Sequence, residues 1–285
     1  MKDVIGGYSL RTLMGTGQTS QVWDVVELSS GKHYAMKILL PEFVTKAEHR
    51  QLLTHEAEVG KKFDHPNIIK VYKLVKEPKE AYYIMECFPS TSLKQRIMRK
   101  EEQFIREKAQ EIFKQVATAL AYMHGLKWVH RDVKPDNILV NDEGQVKLID
   151  FAIAKKIEKP GFFAQLFGQK EKPQGTRSYM SPEQIRGESV DGRADIYSFA
   201  ATAYEVVTGR PPFRGATAQD LLAKHLNEKV TSPQVLNPDV TDEFAALVVR
   251  MLAKKREERP QNFHEVLMQL KSMRVFKSKE IQKKA

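Results

Sequence analysis

His130-Arg131-Asp132-Val133-Lys134-Pro135-Asp136-Asn137 is followed along the chain by Asp150-Phe151-Ala152. Phosphoryl transfer from a nucleotide needs a group that orients the attacking hydroxyl, ligands for metal ions, and positive charge against the transferred group. Two carboxylates, a lysine and an asparagine in this order supply those functions. Nearer the amino terminus, Gly15-Thr16-Gly17-Gln18-Thr19-Ser20-Gln21-Val22 separates two apolar runs. A glycine-rich hairpin lets backbone N–H groups approach phosphates with no side chain between them, although the same residues also read as a plain turn. Ala35-Met36-Lys37 then places a lysine in an otherwise apolar segment. Such a lysine is costly unless paired, and Glu56 on the next segment is its natural partner.

These residues need scaffolding of two kinds. Residues 8–13, 21–28 and 33–40 are short runs rich in β-branched and aromatic side chains, and they predict strands. Thr45-Lys46-Ala47-Glu48 has the spacing of a capping box, which predicts a helix from there to about Phe63, ended by Asp64-His65-Pro66. Two further strands are expected over 68–76 and 81–88, with a hinge over 86–90. Beyond Pro89 the pattern turns helical: Ile112, Phe113, Val116, Leu120 and Met123 recur at helical spacing within 102–125. Short strands are expected at 138–140 and 146–149, and helices over 193–208, 217–228, 241–252 and 263–273. The fold class is therefore α+β, a small β-rich lobe with one helix (1–87), a larger helical lobe (88–276), and a basic tail (277–285).

Taken together, these motifs resemble the catalytic domain of bacterial-type, eukaryotic-like serine/threonine protein kinases. A lysine two positions after the aspartate, as in Asp132-Val133-Lys134, is the serine/threonine spelling. Gly175-Thr176-Arg177-Ser178-Tyr179-Met180-Ser181-Pro182-Glu183 matches the end of that family's activation segment, although Ser181-Pro182-Glu183-Gln184 alone would also serve as a capping box. The resemblance runs from about Tyr8 to Met273. It implies a two-lobed kinase fold and transfer of the ATP γ-phosphate to protein serine or threonine with Mg²⁺ or Mn²⁺.

By the same resemblance, Asp132 orients the substrate hydroxyl, Lys134 bridges it and the γ-phosphate, and Asn137 and Asp150 hold metal. Lys37, aimed by Glu56, would meet the α- and β-phosphates. Gly15 and Gly17 would cover them. Glu86 and Phe88 would face adenine through their backbone, with Val22, Ala35 and Leu139 against its faces and Met85 as gatekeeper. Thr176 would bond Asp132 and Lys134, Asp195 would anchor the catalytic loop, and Glu183 would pair with Arg259. Cys87 is expected to be an inert hinge residue rather than a reactive thiol.

The sequence also departs from the family's pattern. Ser20 stands where a third glycine is usual, and Ala152 replaces the glycine of the metal-binding turn. Gly60 occupies a place usually filled by a large apolar residue packed on Phe151, so a looser helix is expected around Glu56. Residues 151–175 contain no Ser, Thr or Tyr, which argues against control by phosphorylation there. In that stretch Phe162, Phe163, Leu166 and Phe167 would share one face of a short helix, packed on the chain itself or forming a docking surface for a partner or second copy. Intact catalytic residues favour an enzyme; the departures leave a pseudokinase scaffold as the rival.

Composition bounds the rest. A 285-residue chain with 41% hydrophobic residues is long enough for a sizeable core. The net charge of +10 favours anionic partners. No basic run is interleaved with aromatics, so nucleic acid is not an expected ligand. One cysteine excludes an internal disulfide framework and suits a reducing compartment. A cytoplasmic protein is expected, membrane association being left to segments outside this chain in the case of a cytoplasmic domain of a longer membrane protein.

Overall fold

Alternation along the first ninety residues builds one antiparallel sheet. The computed structural model describes residues 4–157 and 174–278. Strands β1 (Val4–Ile5), β2 (Tyr8–Thr16), β3 (Ser20–Glu27), β4 (His33–Leu39), β5 (Val71–Glu77) and β6 (Glu80–Met85) form a sheet in the order β1-β2-β3-β4-β6-β5. Period-two alternation sorts β6 onto two faces. Tyr82 and Ile84 join Ile5, Tyr8, Val25 and Met36 on one side. Ala81 and Tyr83 join Leu53, Ala57 and Val71 on the other, beneath helix α2 (Ala47–Gly60). Residues 147–154 cluster with this first unit, which otherwise comprises Met1–Ser90.

Two local expectations are corrected here. Thr45 does not cap α2: it is the C-cap residue of a short preceding helix, α1 (Pro41–Val44), and its αR backbone is committed there. Lys46 takes the N-cap position of α2 and makes no side-chain capping bond. The glycine hairpin is also longer-stranded than expected. Gly15 and Thr16 still pair with Val22 and Gln21, and the turn itself closes through Gly17 N–H donating to the Ser20 carbonyl at 2.8 Å.

Gly60 is not the loose spot that its missing side chain suggests. A Cβ added there would lie 2.6 Å from Val71 Cγ2 and 3.3 Å from Phe151 Cδ2, so those two side chains already fill the space. Phe151 is 1% exposed and meets Phe63 edge-on at 5.3 Å. The methyl of the buried Val71 has little room to retreat, so overpacking outweighs the better helix propensity of alanine. Gly60→Ala is expected to lower unfolding free energy by about 1–2 kcal/mol. Thermal melts check this, and adding Val71→Ala restores part of the loss if the clash is its cause.

The second unit comprises Thr91–Val146 and Lys155–Ala285. Its centre is α4 (Glu102–Gly125), whose predicted apolar stripe is buried throughout. Strand β7 (Thr91–Ser92) leads into α3 (Leu93–Met98), a helix absent from the sequence reading, started by a capping box between Ser92 and Gln95. Strands β8 (Trp128–Val129) and β9 (Ile138–Val140) bracket the catalytic-loop sequence; β7 pairs with β9. Strand β10 (Val146–Leu148) follows, and β11 (Lys155–Lys156) pairs with β8. Helices α5 (Pro182–Arg186), α6 (Gly192–Thr208), α7 (Ala218–Asn227), α8 (Asp242–Met251) and α9 (Phe263–Ser272) complete the unit. Helix α6 is buried from Ala194 to Val207, and Phe113 of α4 stacks on Phe244 of α8 at 5.5 Å.

Candidate active site

The predicted site residues divide between the two units. Gly15, Gly17, Val22, Ala35, Lys37, Glu56, Glu86, Phe88 and Asp150 fall in the first; Asp132, Lys134, Asn137 and Leu139 fall in the second. Phe162, Phe163, Leu166 and Phe167 lie outside the described residues.

In the first unit Lys37 points from β4 to α2. Its Nζ lies 2.7 Å from both Glu56 oxygens, and Glu56 is 4% exposed. Burial alone would push the lysine down, but the Glu56 and Asp150 charges outweigh it and hold its pKa above the usual lysine value. Burial pushes the Glu56 carboxyl up against the opposing pull of Lys37. A third group meets the pair: the Tyr83 hydroxyl donates to Glu56 Oε1 at 2.9 Å. Sequence reasoning passed over Tyr83. The available signal was a polar-tipped residue on a buried strand facing the lysine strand.

Asp150 adopts a left-handed backbone at φ 68°, and its Oδ1 accepts from the Ala152 amide at 3.2 Å. Ala152 has no positive φ, so its Cβ meets no conformational penalty in this arrangement. Ala35 is buried and Val22 half-buried. The Glu86 carboxylate turns to Lys147 Nζ at 2.8 Å. The Phe88 carbonyl accepts from Ser90 Oγ at 2.9 Å. Burial and the neighbouring Asp24 raise the Cys87 thiol above its ordinary value, the condition of an unreactive cysteine.

In the second unit the catalytic-loop side chains converge. Lys134 Nζ donates to Asp132 Oδ2 at 2.6 Å and to Thr176 Oγ1 at 2.7 Å. The Thr176 amide donates to Asp132 Oδ1 at 2.9 Å. Asn137 Nδ2 bonds the Asp132 carbonyl at 2.9 Å and Oδ2 at 3.1 Å. Both carboxylate oxygens of Asp132 are therefore fixed by donors, so its plane has one orientation. Leu139 stands half-buried on β9, and Asn137 is buried at the end of the short 3₁₀ turn Pro135–Asn137.

The loop is held in an unfavourable backbone state. Arg131 has φ 70°, a left-handed conformation that persists only when its surroundings over-determine it. Asp195 of α6, fully buried, accepts from the His130 and Arg131 amides at 2.8 Å each, and His124 Nε2 lies 2.8 Å from its Oδ2. On the other side Gln184 Nε2 donates to the Arg131 carbonyl at 2.8 Å. Gly175 passes that carbonyl with φ 116°, where a Cβ would lie 3.1 Å from it. The Ser181–Gln184 capping box is formed, so this segment both starts α5 and braces the loop. Arg259, fully buried, grips Glu183 with two hydrogen bonds of 2.7 and 2.9 Å.

A model of the protein kinase domain matches residues 8–272. A probable serine/threonine-protein kinase of Clostridium acetobutylicum is 31% identical over 267 residues, covering 94% of this chain and 40% of that protein. The serine/threonine-protein kinase PrkC of Bacillus subtilis is 30% identical over 253 residues, 89% of this chain and 38% of its own. PknA of Mycobacterium tuberculosis is 34% identical over 254 residues, 87% and 57% respectively. The chain thus spans about two fifths of the length of the first of these relatives. With its catalytic-loop geometry and a family match over nearly all its length, the chain belongs to the protein kinase domain family.

Proposed function

We propose that the chain is a protein serine/threonine kinase that moves the ATP γ-phosphate to a Ser or Thr hydroxyl of a protein substrate. The observation that carries this reading is the Asp132 carboxylate, held by Lys134, Asn137 and the Thr176 amide. In that frame Asp132 orients the substrate hydroxyl and takes its proton, while Lys134 sets positive charge beside the transferred group. Thr176, bonded to Lys134, ties the substrate-facing segment to the same carboxylate.

The residues fit a nucleotide and a divalent ion. Neither Gly15 nor Gly17 has a positive φ, and a Cβ would meet open space at Gly15 and only ordinary contact at Gly17. The fold therefore does not require glycine there, whereas close passage of phosphates over the backbone would. With Asn137 Nδ2 committed to Asp132, its Oδ1 is the atom suited to a metal, and Asp150 is the second proposed ligand. Bound Mg²⁺ or Mn²⁺ would neutralise phosphate charge. Lys37, paired with Glu56, is assigned to the α- and β-phosphates. The Glu86 and Phe88 backbone is assigned to adenine, with Val22, Ala35 and Leu139 as its apolar contacts. On this reading residues 1–87 chiefly bind nucleotide and 88–276 carry catalysis and substrate binding.

The reading includes control without activation-loop phosphorylation, since 151–175 offers no hydroxyl. Phe162, Phe163, Leu166 and Phe167 are proposed as a regulatory or self-association surface, and the cytoplasm as the working compartment. Among the described residues no helix is long and apolar enough to cross a membrane. Incubation with labelled ATP, Mg²⁺ and a generic basic protein should label Ser or Thr. Asp132→Ala should lose this transfer by on the order of 10²–10⁴-fold. Equal labelling by wild type and variant would sink the enzyme reading. Phosphatase pretreatment should leave the wild-type rate unchanged, and a loss would overturn the unphosphorylated mode of control.

A further inference from the structure

Tyr83 and Lys37 are direct cross-strand partners on β6 and β4, so their side chains leave the same face of the sheet. Both reach one carboxylate on α2. Lys37 approaches both Glu56 oxygens, and the Tyr83 hydroxyl donates to Oε1. Tyr83 is 3% exposed and packs among Leu53, Ala57 and Val71, so its ring is fixed and its hydroxyl has one direction in which to donate. One turn beyond Glu56, the space beside Gly60 is closed by Val71 and Phe151. Lys37 and Tyr83 thus meet α2 at one point, beside the face on which it buries Leu53, Ala57 and Val59.

We propose that Tyr83 is a positioning residue for phosphoryl transfer: its hydroxyl holds the Glu56 carboxylate in place while Lys37 serves the nucleotide. This inference rests on the kinase reading above. A lysine that shares its donors between Glu56 and phosphate loosens its hold on the carboxylate. A second, neutral donor keeps that buried carboxylate hydrogen-bonded through the change, so Lys37 returns to one aim. The groups acting on Glu56 are Lys37 from β4, Tyr83 from β6 and Asp150. Lys76 of β5 is engaged elsewhere, with exposed Glu58.

The test is Tyr83→Phe, which keeps the ring and its packing. Binding of a fluorescent ATP analogue is measured across pH, alongside kcat and KM for ATP. Loss of the donor should weaken analogue binding and raise KM about tenfold, the share of one hydrogen bond to a charged group. The acid limb of binding should move upward, because the bond from Tyr83 favours the ionised form of Glu56. In a Glu56→Gln background, adding Tyr83→Phe should change affinity less than twofold, as expected when both act through one bond. A Tyr83→Phe protein with wild-type affinity and an unmoved acid limb would overturn this inference alone. A wild-type protein that bound no nucleotide would overturn the kinase reading and this inference with it.

Discussion

Replacing Arg259 with methionine is expected to lower the unfolding free energy by about 3–5 kcal/mol, the cost of stranding a buried charge by removing its partner. The guanidinium satisfies more than Glu183. It also donates to the carbonyls of Ala253 at 2.8 Å, Arg193 at 2.9 Å and Lys254 at 3.2 Å, and its planar head lies 5.0 Å from the Tyr197 ring. Methionine fills much of the volume but returns none of these bonds. Three part-buried carbonyls lose a donor, and the buried Glu183 carboxylate is left unpaired. Against a total stability of about 5–15 kcal/mol, that loss is large enough to leave part of the chain unfolded at moderate temperature. Denaturant titration measures it. The companion Arg259→Met with Glu183→Leu should recover part of the loss, since removing both charges spares the desolvation of an unpaired one. A single variant within about 0.5 kcal/mol of wild type would show that the pair is not a structural anchor.

The same pair shows what the sequence could and could not reveal. Glu183 and Arg259 are distant in the chain, and nothing in their local surroundings pairs them; the family pattern did. The catalytic loop was legible more directly, because Asp132, Lys134 and Asn137 lie close together in the chain. Lys37 and Glu56 were legible from energetics, a lysine in an apolar strand needing a carboxylate. Tyr83 escaped because a tyrosine in a strand reads as packing, and only the β4–β6 register shows that its hydroxyl meets Glu56. Thr45 misled because the same residue types serve at either end of a helix, and the short α1 claimed it first. Gly60 misled for a different reason. An absent side chain was read as a gap, whereas Val71 and Phe151 had closed it.

Asp195→Asn is expected to reduce phosphoryl transfer by about 10²-fold while leaving nucleotide affinity near wild type, because it displaces Asp132, the proposed catalytic aspartate, and touches none of the proposed nucleotide contacts. The argument is one of donors and acceptors. Oδ1 accepts from the Arg131 amide; Oδ2 accepts from the His130 amide and lies against His124 Nε2. Asparagine has one oxygen, so whichever way its amide turns, an NH₂ confronts a buried backbone N–H. That N–H is then unsatisfied, at about 1–3 kcal/mol. With the NH₂ toward Arg131, that strained residue at φ 70° loses the acceptor of its amide and keeps only the Gln184 bond to its carbonyl, and relaxation toward an ordinary φ swings the next residue, Asp132, out of register with Lys134 and Thr176. A pH series separates this from a general loss of fold. Burial pushes the Asp195 carboxyl up, but the hydrogen bond and charge of His124 and the approach of His130 outweigh it and hold its pKa below the usual carboxylate value. A depressed carboxyl contributes stability above its unfolded pKa and loses it as pH falls through the folded one. The stability gap between wild type and Asp195→Asn should therefore be full at neutral pH and close in strong acid, below the ordinary aspartate range. A gap that stayed constant through that range, or a variant that kept wild-type kcat, would show that Asp195 does not hold the loop by its charge.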